Sequence, residues 1–147
     1  MVIEITRMKE EHLHDVTGLE FRSFSEPWSY EAFKEALCSD EYVYLTALHE
    51  SKVVGYAGAV IAVDEGSITN IAVDEDYRRY GIASELMSQI GKCLKDRAVT
   101  QVFLEVRESN YAAIKLYEGC GYYEVGVRKN FYRKPDENGI VMRLDLD

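Results

Sequence analysis

The stretch from Asn70 to Ala83 constrains this chain more than any other. Asn70-Ile71-Ala72-Val73 reads as an apolar strand, Asp74 to Tyr80 as a polar loop holding Arg78 and Arg79, and Gly81 as the entry to a helix. That helix carries Ile82, Leu86, Ile90, Cys93 and Leu94 at spacings of three and four, so one stripe of it must be buried. A strand feeding such a helix requires a sheet for the helix to lie on. The first turn of the helix presents unpaired N–H groups and a partial positive charge, which together attract an anion. Gly81 admits a close backbone approach, and the arginines add charge. The Gly-Lys-Ser/Thr ending of a P-loop and the three spaced glycines of a dinucleotide site are both missing. A surface turn whose glycine serves only the turn is the plain alternative at this point.

A chain of 147 residues suits one domain, here taken as 1–147, that buries roughly two thirds of its unfolded surface. The net charge of −9 argues against a nucleic-acid footprint and suits a basic peptide, although acidity also serves solubility alone. No apolar run approaches the ~18 residues of a membrane span, and Met1-Val2-Ile3-Glu4 does not resemble a leader. The expectation is a cytoplasmic protein. Cys38, Cys93 and Cys120 are odd in number and unpaired in spacing, which offers neither a disulfide framework nor a metal site.

Residues 2–5 read as a first strand, and Glu10 to Phe24 as a helix with Leu13, Val16, Phe21 and Phe24 facing inward. Ser29 is a good N-cap for a second helix ending at Leu37, with Trp28 placed to staple onto Phe33. Strands follow at Tyr42 to Leu48, Val53 to Val63 and Ser67 to Val73. Beyond the Gly81 helix come a strand through Glu105, a short helix from Asn110 to Glu118, and strands at Tyr122 to Arg128 and Ile140 to Leu144. Asn130 to Gly139 is expected to be a loop, from its turn-forming residues. The fold class is α+β: a mixed, mostly antiparallel sheet of about seven strands with helices on both faces.

Glu105 lies in Val102-Phe103-Leu104-Glu105-Val106, where a charge needs either a task or a partner. Strand alternation alone also explains it, since Phe103 and Glu105 share one face and Leu104 and Val106 the other. Tyr117 falls on the short helix among apolar inward positions, where it is either a core aromatic or a proton donor.

Several strings occurring in order now carry a resemblance. Asn70 to Val73, Tyr77-Arg78-Arg79 with Gly81, Leu104-Glu105-Val106-Arg107 with Ser109-Asn110, Ala113-Ile114 with Leu116-Tyr117-Glu118, Arg128-Lys129-Asn130 with Tyr132, and the early Trp28-Ser29 all match one pattern. The chain resembles the GNAT superfamily of acetyl-CoA-dependent N-acetyltransferases and, within it, the RimI-type ribosomal-protein-alanine acetyltransferases. The match runs from about Trp28 to Leu144.

The resemblance implies a fold in which acetyl-CoA, the co-substrate, enters where two neighbouring strands splay. Ile71, Ala72 and Val73 would pair with the amides of its arm. Arg79, Tyr80, Gly81, Ile82, Ala83 and Ser84 would grip its pyrophosphate, and Asn110 would bond the coenzyme as well as cap its own helix. Ala83 stands where many relatives have glycine, and Tyr80 where glutamine is common. The resemblance makes Glu105 the general base, acting through a water, and Tyr117 the general acid for the departing thiolate. It places the acceptor peptide between Trp28-Ser29 and the loop with Tyr132, and it involves no metal. The implied reaction is acetylation of a protein N-terminal amine, that of an alanine-initiated small-subunit ribosomal protein. The alternatives are a GNAT enzyme acting on a lysine side chain, polyamine or small molecule, and a non-catalytic acyl-CoA-binding module.

Overall fold

The computed structural model of the protein describes residues 1–146. In chain order its elements are β1 (Glu4–Arg7), α1 (Leu13–Ser23), α2 (Tyr30–Leu37), β2 (Tyr42–His49), β3 (Lys52–Ala62), β4 (Glu65–Val73), α3 (Ile82–Asp96), β5 (Gln101–Arg107), α4 (Tyr111–Gly119), β6 (Tyr123–Tyr132) and β7 (Glu137–Asp145). Short 3-10 turns precede α1 at Glu10–His12 and α3 at Glu75–Tyr77. The seven strands form one sheet in the order β1-β2-β3-β4-β5-β7-β6. Every pairing is antiparallel except that of β4 with β5.

Side-chain alternation along β2 sends Val43, Leu45 and Ala47 to one face and Tyr44 to the other, which divides the core into two layers. On one face α3 lays its stripe of Ile82, Leu86, Met87, Ile90 and Leu94 against the sheet. Burying each of these aliphatic side chains contributes ~1.5–3 kcal/mol. On the other face Leu13, Val16 and Leu19 of α1 pack with Phe33 and Ala36 of α2 around Tyr44 and Tyr56. Among the described residues no helix is long and apolar enough to cross a membrane.

Two expectations are corrected. Phe21 is 73% exposed and Phe24 41%, so neither belongs to the core face of α1. The inward position is held by Glu20, only 2% exposed, because it follows Leu13 by seven residues and Val16 by four. Helical geometry overrode hydrophobicity. The segment 130–139 is not an open loop either: β6 runs on to Tyr132 and β7 begins at Glu137, leaving a hairpin tip at 133–136. The staple of Trp28 on Phe33 is present, with ring centroids 5.4 Å apart.

The feature that positions the site lies in β4. Its register with β3 shifts between Gly58 and Ala59, which face Asn70 and Ile68, so Thr69 is an extra residue on β4. A bulge of this kind bends its strand and interrupts the ladder. On the other side β4 pairs with β5 only through Glu65, Gly66 and Ser67, opposite Gln101, Val102 and Phe103. Beyond that point the two strands diverge. Gly58 clears the space opposite the bulge, since a Cβ there would fall 2.0 Å from the Tyr44 ring. The Tyr44 hydroxyl then reaches both Thr69 Oγ1, at 2.8 Å, and Asn70 Oδ1, at 2.6 Å.

Candidate active site

Divergence of β4 and β5 opens a cleft of about 690 Å³. Ile68 to Val73 form one wall, Leu104 to Arg107 the other, and α4 contributes Asn110, Ala113, Leu116 and Tyr117. Ile71, Ala72 and Val73 pair with Ala57, Tyr56 and Gly55 of β3, and their opposite backbone edge carries no strand. An extended, amide-containing molecule can therefore complete the ladder along that edge.

The cleft leads to the start of α3. Gly81 is the N-cap in the left-handed conformation (φ +76°), and a Cβ placed on it would meet nothing within 4 Å. Glu85 N–H is the first of the helix to close on a carbonyl, that of Gly81, at 3.0 Å. The N–H groups of Ile82, Ala83 and Ser84 lie ahead of that bond and stay available to an anion. Arg79 also occupies the left-handed region (φ +70°), which turns the loop sharply before the helix. The Ile82 side chain is core, so only its backbone faces outward. Tyr80 projects its ring into solvent at 63% exposure. Arg78, Arg79 and Ala83 line the cleft, whereas Gly81 and Ser84 line an adjoining groove between α3 and α4. An anion-binding backbone with two open sides fits a long phosphorylated molecule.

At the other end the titratable groups gather. Glu105 lies on the less buried face of β5, and its Oε1 accepts from Arg128 Nη1 at 3.0 Å. The charge therefore has a partner, an arginine two strands away in the sheet. Tyr117 is 7% exposed, and among the described residues its hydroxyl has no protein hydrogen-bond partner. Burial, followed by the neighbouring Tyr132 phenol and Cys120, pushes the Tyr117 phenol up to about 12. Burial also dominates at Tyr132, pushed up to about 12, where the Glu105 carboxylate adds to the shift and Arg107 opposes it. Tyr132 thus lies within electrostatic reach of Glu105, and Tyr117 within reach of Tyr132, in the same cleft. The cleft is lined by a carboxylate, Glu105, and by two phenols, Tyr117 and Tyr132.

Asn110 caps α4 through Oδ1, which accepts from Ala113 N–H at 3.2 Å, and it also lines the cleft. Trp28 lines it too. Ser29 does not: its Oγ accepts from Ala32 N–H at 3.1 Å as the N-cap of α2. Of the two residues expected on that side of the acceptor, the structure brings only Trp28 to the cleft.

Glu20 was not legible as a site residue. Its buried carboxylate accepts from the Tyr56 hydroxyl, from Asn70 Nδ2 at 3.2 Å to both oxygens, and from Trp28 N–H at 2.8 Å. Three neutral donors, making four contacts, satisfy the charge and tie the segment carrying Trp28 to β4 beside the bulge. Its helical spacing from Leu13 and Val16 was the available signal.

These features can be set against known proteins. A family model described as acetyltransferase (GNAT) family matches residues 12–122. The chain is 35% identical over 130 residues to the ribosomal protein bS18-alanine N-acetyltransferase of Escherichia coli, covering 87% of each. It is 36% identical over 123 residues to the enzyme of the same name from Haemophilus influenzae, covering 82% of this chain and 83% of that one. The crystal structure of the Escherichia coli ribosomal-protein-alanine N-acetyltransferase superposes with a TM-score of 0.91 at 32% identity, covering 99% of this chain and 95% of that one. Splayed strands, a glycine-capped helix and likeness along most of the length agree, and the chain belongs to the acetyltransferase (GNAT) family.

Proposed function

We propose that the protein transfers the acetyl group of acetyl-CoA to the N-terminal α-amine of a protein, the alanine of a small-subunit ribosomal protein, and does so in the cytoplasm where such proteins are made. The observation that carries the reading is the convergence of Glu105, Tyr117 and Tyr132 at one end of the β4–β5 cleft, in a chain so similar to bS18-alanine N-acetyltransferases. One domain spanning 1–147 serves both substrates. Acetyl-CoA supplies an activated thioester, and its fit rests on the free edge of Ile71 to Val73, the open N–H groups at the start of α3, and the cavity-lining side of Asn110.

The chain's own groups supply the rest. An α-amine titrates near ~7.7–8.0 and arrives partly protonated at neutral pH. Glu105 takes that proton through a water, which frees the nitrogen lone pair for attack. The C–N bond forms and the C–S bond breaks; the Tyr117 hydroxyl protonates the departing sulfur, and the second proton shed by the acylated nitrogen returns through water to the Tyr117 phenolate. Trp28 and Tyr132 flank the acceptor from two sides. Incubation with acetyl-CoA and an alanine-initiated peptide from a small-subunit ribosomal protein, followed by mass mapping, tests the reading. Acetyl on the α-amine is expected; acetyl on lysine alone assigns the enzyme to another acceptor class.

A further inference from the structure

The hairpin of β6 and β7 reaches over the acceptor end, yet its ladder is broken below the tip. Arg128 pairs with Gly139 and Tyr132 with Glu137, so three residues of β6 face one of β7. Asn130, within that interruption, lies in the left-handed region (φ +54°). Backbone pairing therefore does not carry continuously to the tip at 133–136.

Most of the bonds that hold the tip from outside the hairpin come from one side chain of β5, while Glu137 at its base also accepts from Ser109 N–H at 2.6 Å. Arg107 Nη1 donates to the Pro135 carbonyl at 2.8 Å and to Glu137 Oε1 at 3.2 Å. Its Nη2 donates to the Arg133 carbonyl at 2.7 Å and reaches Ser25 Oγ at 3.5 Å. The guanidinium also lies over the Tyr132 ring, 4.6 Å from its centroid. Among the described residues, the only other bond to the tip from outside the hairpin is that of the Ser25 hydroxyl to the Arg133 carbonyl, at 3.4 Å. Arg107 is two residues beyond Glu105 on the same strand and points to the same face. A planar fork with five donors at fixed angles holds two carbonyls and a carboxylate from two separate nitrogens, whereas an ammonium offers three donors from a single point on a flexible stem.

We propose that Arg107 is a positioning residue: it latches the β6–β7 tip, and with it the Tyr132 ring, against the end of β5, and so sets the affinity for the acceptor peptide. The latch joins both flanks of the acceptor end, the segment after α1 through Ser25 and the hairpin through Arg133 and Pro135. This rests on the acetyltransferase reading for its kinetic consequence, but not for the latch itself.

Two measurements test it on Arg107→Ala and Arg107→Lys in the full chain. Amide hydrogen exchange by mass spectrometry reads the latch without reference to any acceptor. Exchange of 130–136 is expected to quicken at least tenfold in Arg107→Ala while α3 exchanges as in wild type; unchanged exchange at 130–136 overturns the proposal. Steady-state kinetics with an alanine-initiated peptide is expected to show KM for the peptide raised at least tenfold, kcat within about threefold, and acetyl-CoA Kd within about twofold. Arg107→Lys keeps the charge without the fork and is expected to resemble the alanine variant, which separates latching from electrostatics. It also carries the test should the alanine variant fail to fold. A wild-type peptide KM in both variants, or an equal loss of acetyl-CoA affinity, overturns the proposal. Wild type that fails to acetylate the peptide at all contradicts the acceptor assignment instead, and the exchange result then decides the latch alone.

Discussion

Arg128 donates to Glu105 at 3.0 Å from β6, with β7 lying between their two strands. The arginine side chain is 57% exposed and the glutamate 33%, so the pair is wet and contributes little to stability. Its consequence is orientation: the carboxylate is held at the cleft with one oxygen still free to meet a water.

Glu105→Gln keeps the shape and an oxygen for Arg128 but removes the proton acceptor. Turnover at pH 7 should fall by ~10²–10⁴, the usual contribution of a general base. The deficit should shrink towards pH 9, where the amine arrives already neutral. Rate profiles from pH 6 to 9 decide this, and a variant that tracks wild type would assign Glu105 to the surface ion pair alone.

Tyr117→Phe retains the buried ring and abandons a hydroxyl that, among the described residues, bonds to no protein group. Its melting temperature and acetyl-CoA affinity should stay near wild type, while turnover falls, because the lost interaction forms in the transition state. With the phenol pushed up to about 12, it stays protonated throughout the working range. The wild-type rate should therefore show no decline from this group between pH 8 and 10.

Gly81→Val tests the anion cradle. Open space surrounds the position, so damage comes from backbone strain at φ +76° and from a side chain projecting where a phosphate approaches. Acetyl-CoA affinity should drop at least tenfold, or ~1.4 kcal/mol, in a protein that still folds. Calorimetry showing wild-type affinity in the folded variant would falsify the cradle.

The buried carboxylate of Glu20 depends on its donors. Tyr56→Phe removes one of them without changing the packed ring and should destabilise the fold by ~1.5–3 kcal/mol, the scale of a hydrogen bond to a charged group. Urea unfolding measures the loss. A variant as stable as wild type would mean that the Tyr56 bond adds nothing beyond its aromatic packing.

Alkaline pH should weaken the fold through its buried phenols. Burial raises Tyr44, Tyr56, Tyr117 and Tyr122 above the ordinary value of 10. In the unfolded chain these groups ionise near pH ~10, whereas in the folded chain they stay protonated to higher pH. Their stabilising contribution is thus complete below pH ~10 and is lost as pH rises through the folded values. The urea midpoint should be level from pH 8 to 9 and fall steadily above 10.

Local spacing along the chain sufficed for much of this protein. The stripe of α3, the Gly81 entry, the caps at Ser29 and Asn110, and seven strands with helices on both faces all follow from periodicity and cap chemistry, which act within a few residues. The order of the matching strings was enough to reveal the family, and Glu105 and Tyr117, the two residues those strings single out, both line the cleft. Hydrophobicity misled where geometry ruled: Phe21 and Phe24 gave way to Glu20, whose charge is tolerable only because Tyr56, Asn70 and Trp28 arrive from other parts of the chain. The hairpin has only turn chemistry in its local sequence, because Arg107, which bonds to its tip, lies 26 residues before Arg133. The cleft itself has the same origin. Thr69 becomes an extra residue only once β3 sets the register of β4, and the splay from β5 follows from that bend. Pairing and donor satisfaction join residues far apart along the chain, so no local pattern encodes them; they arise when the sheet closes.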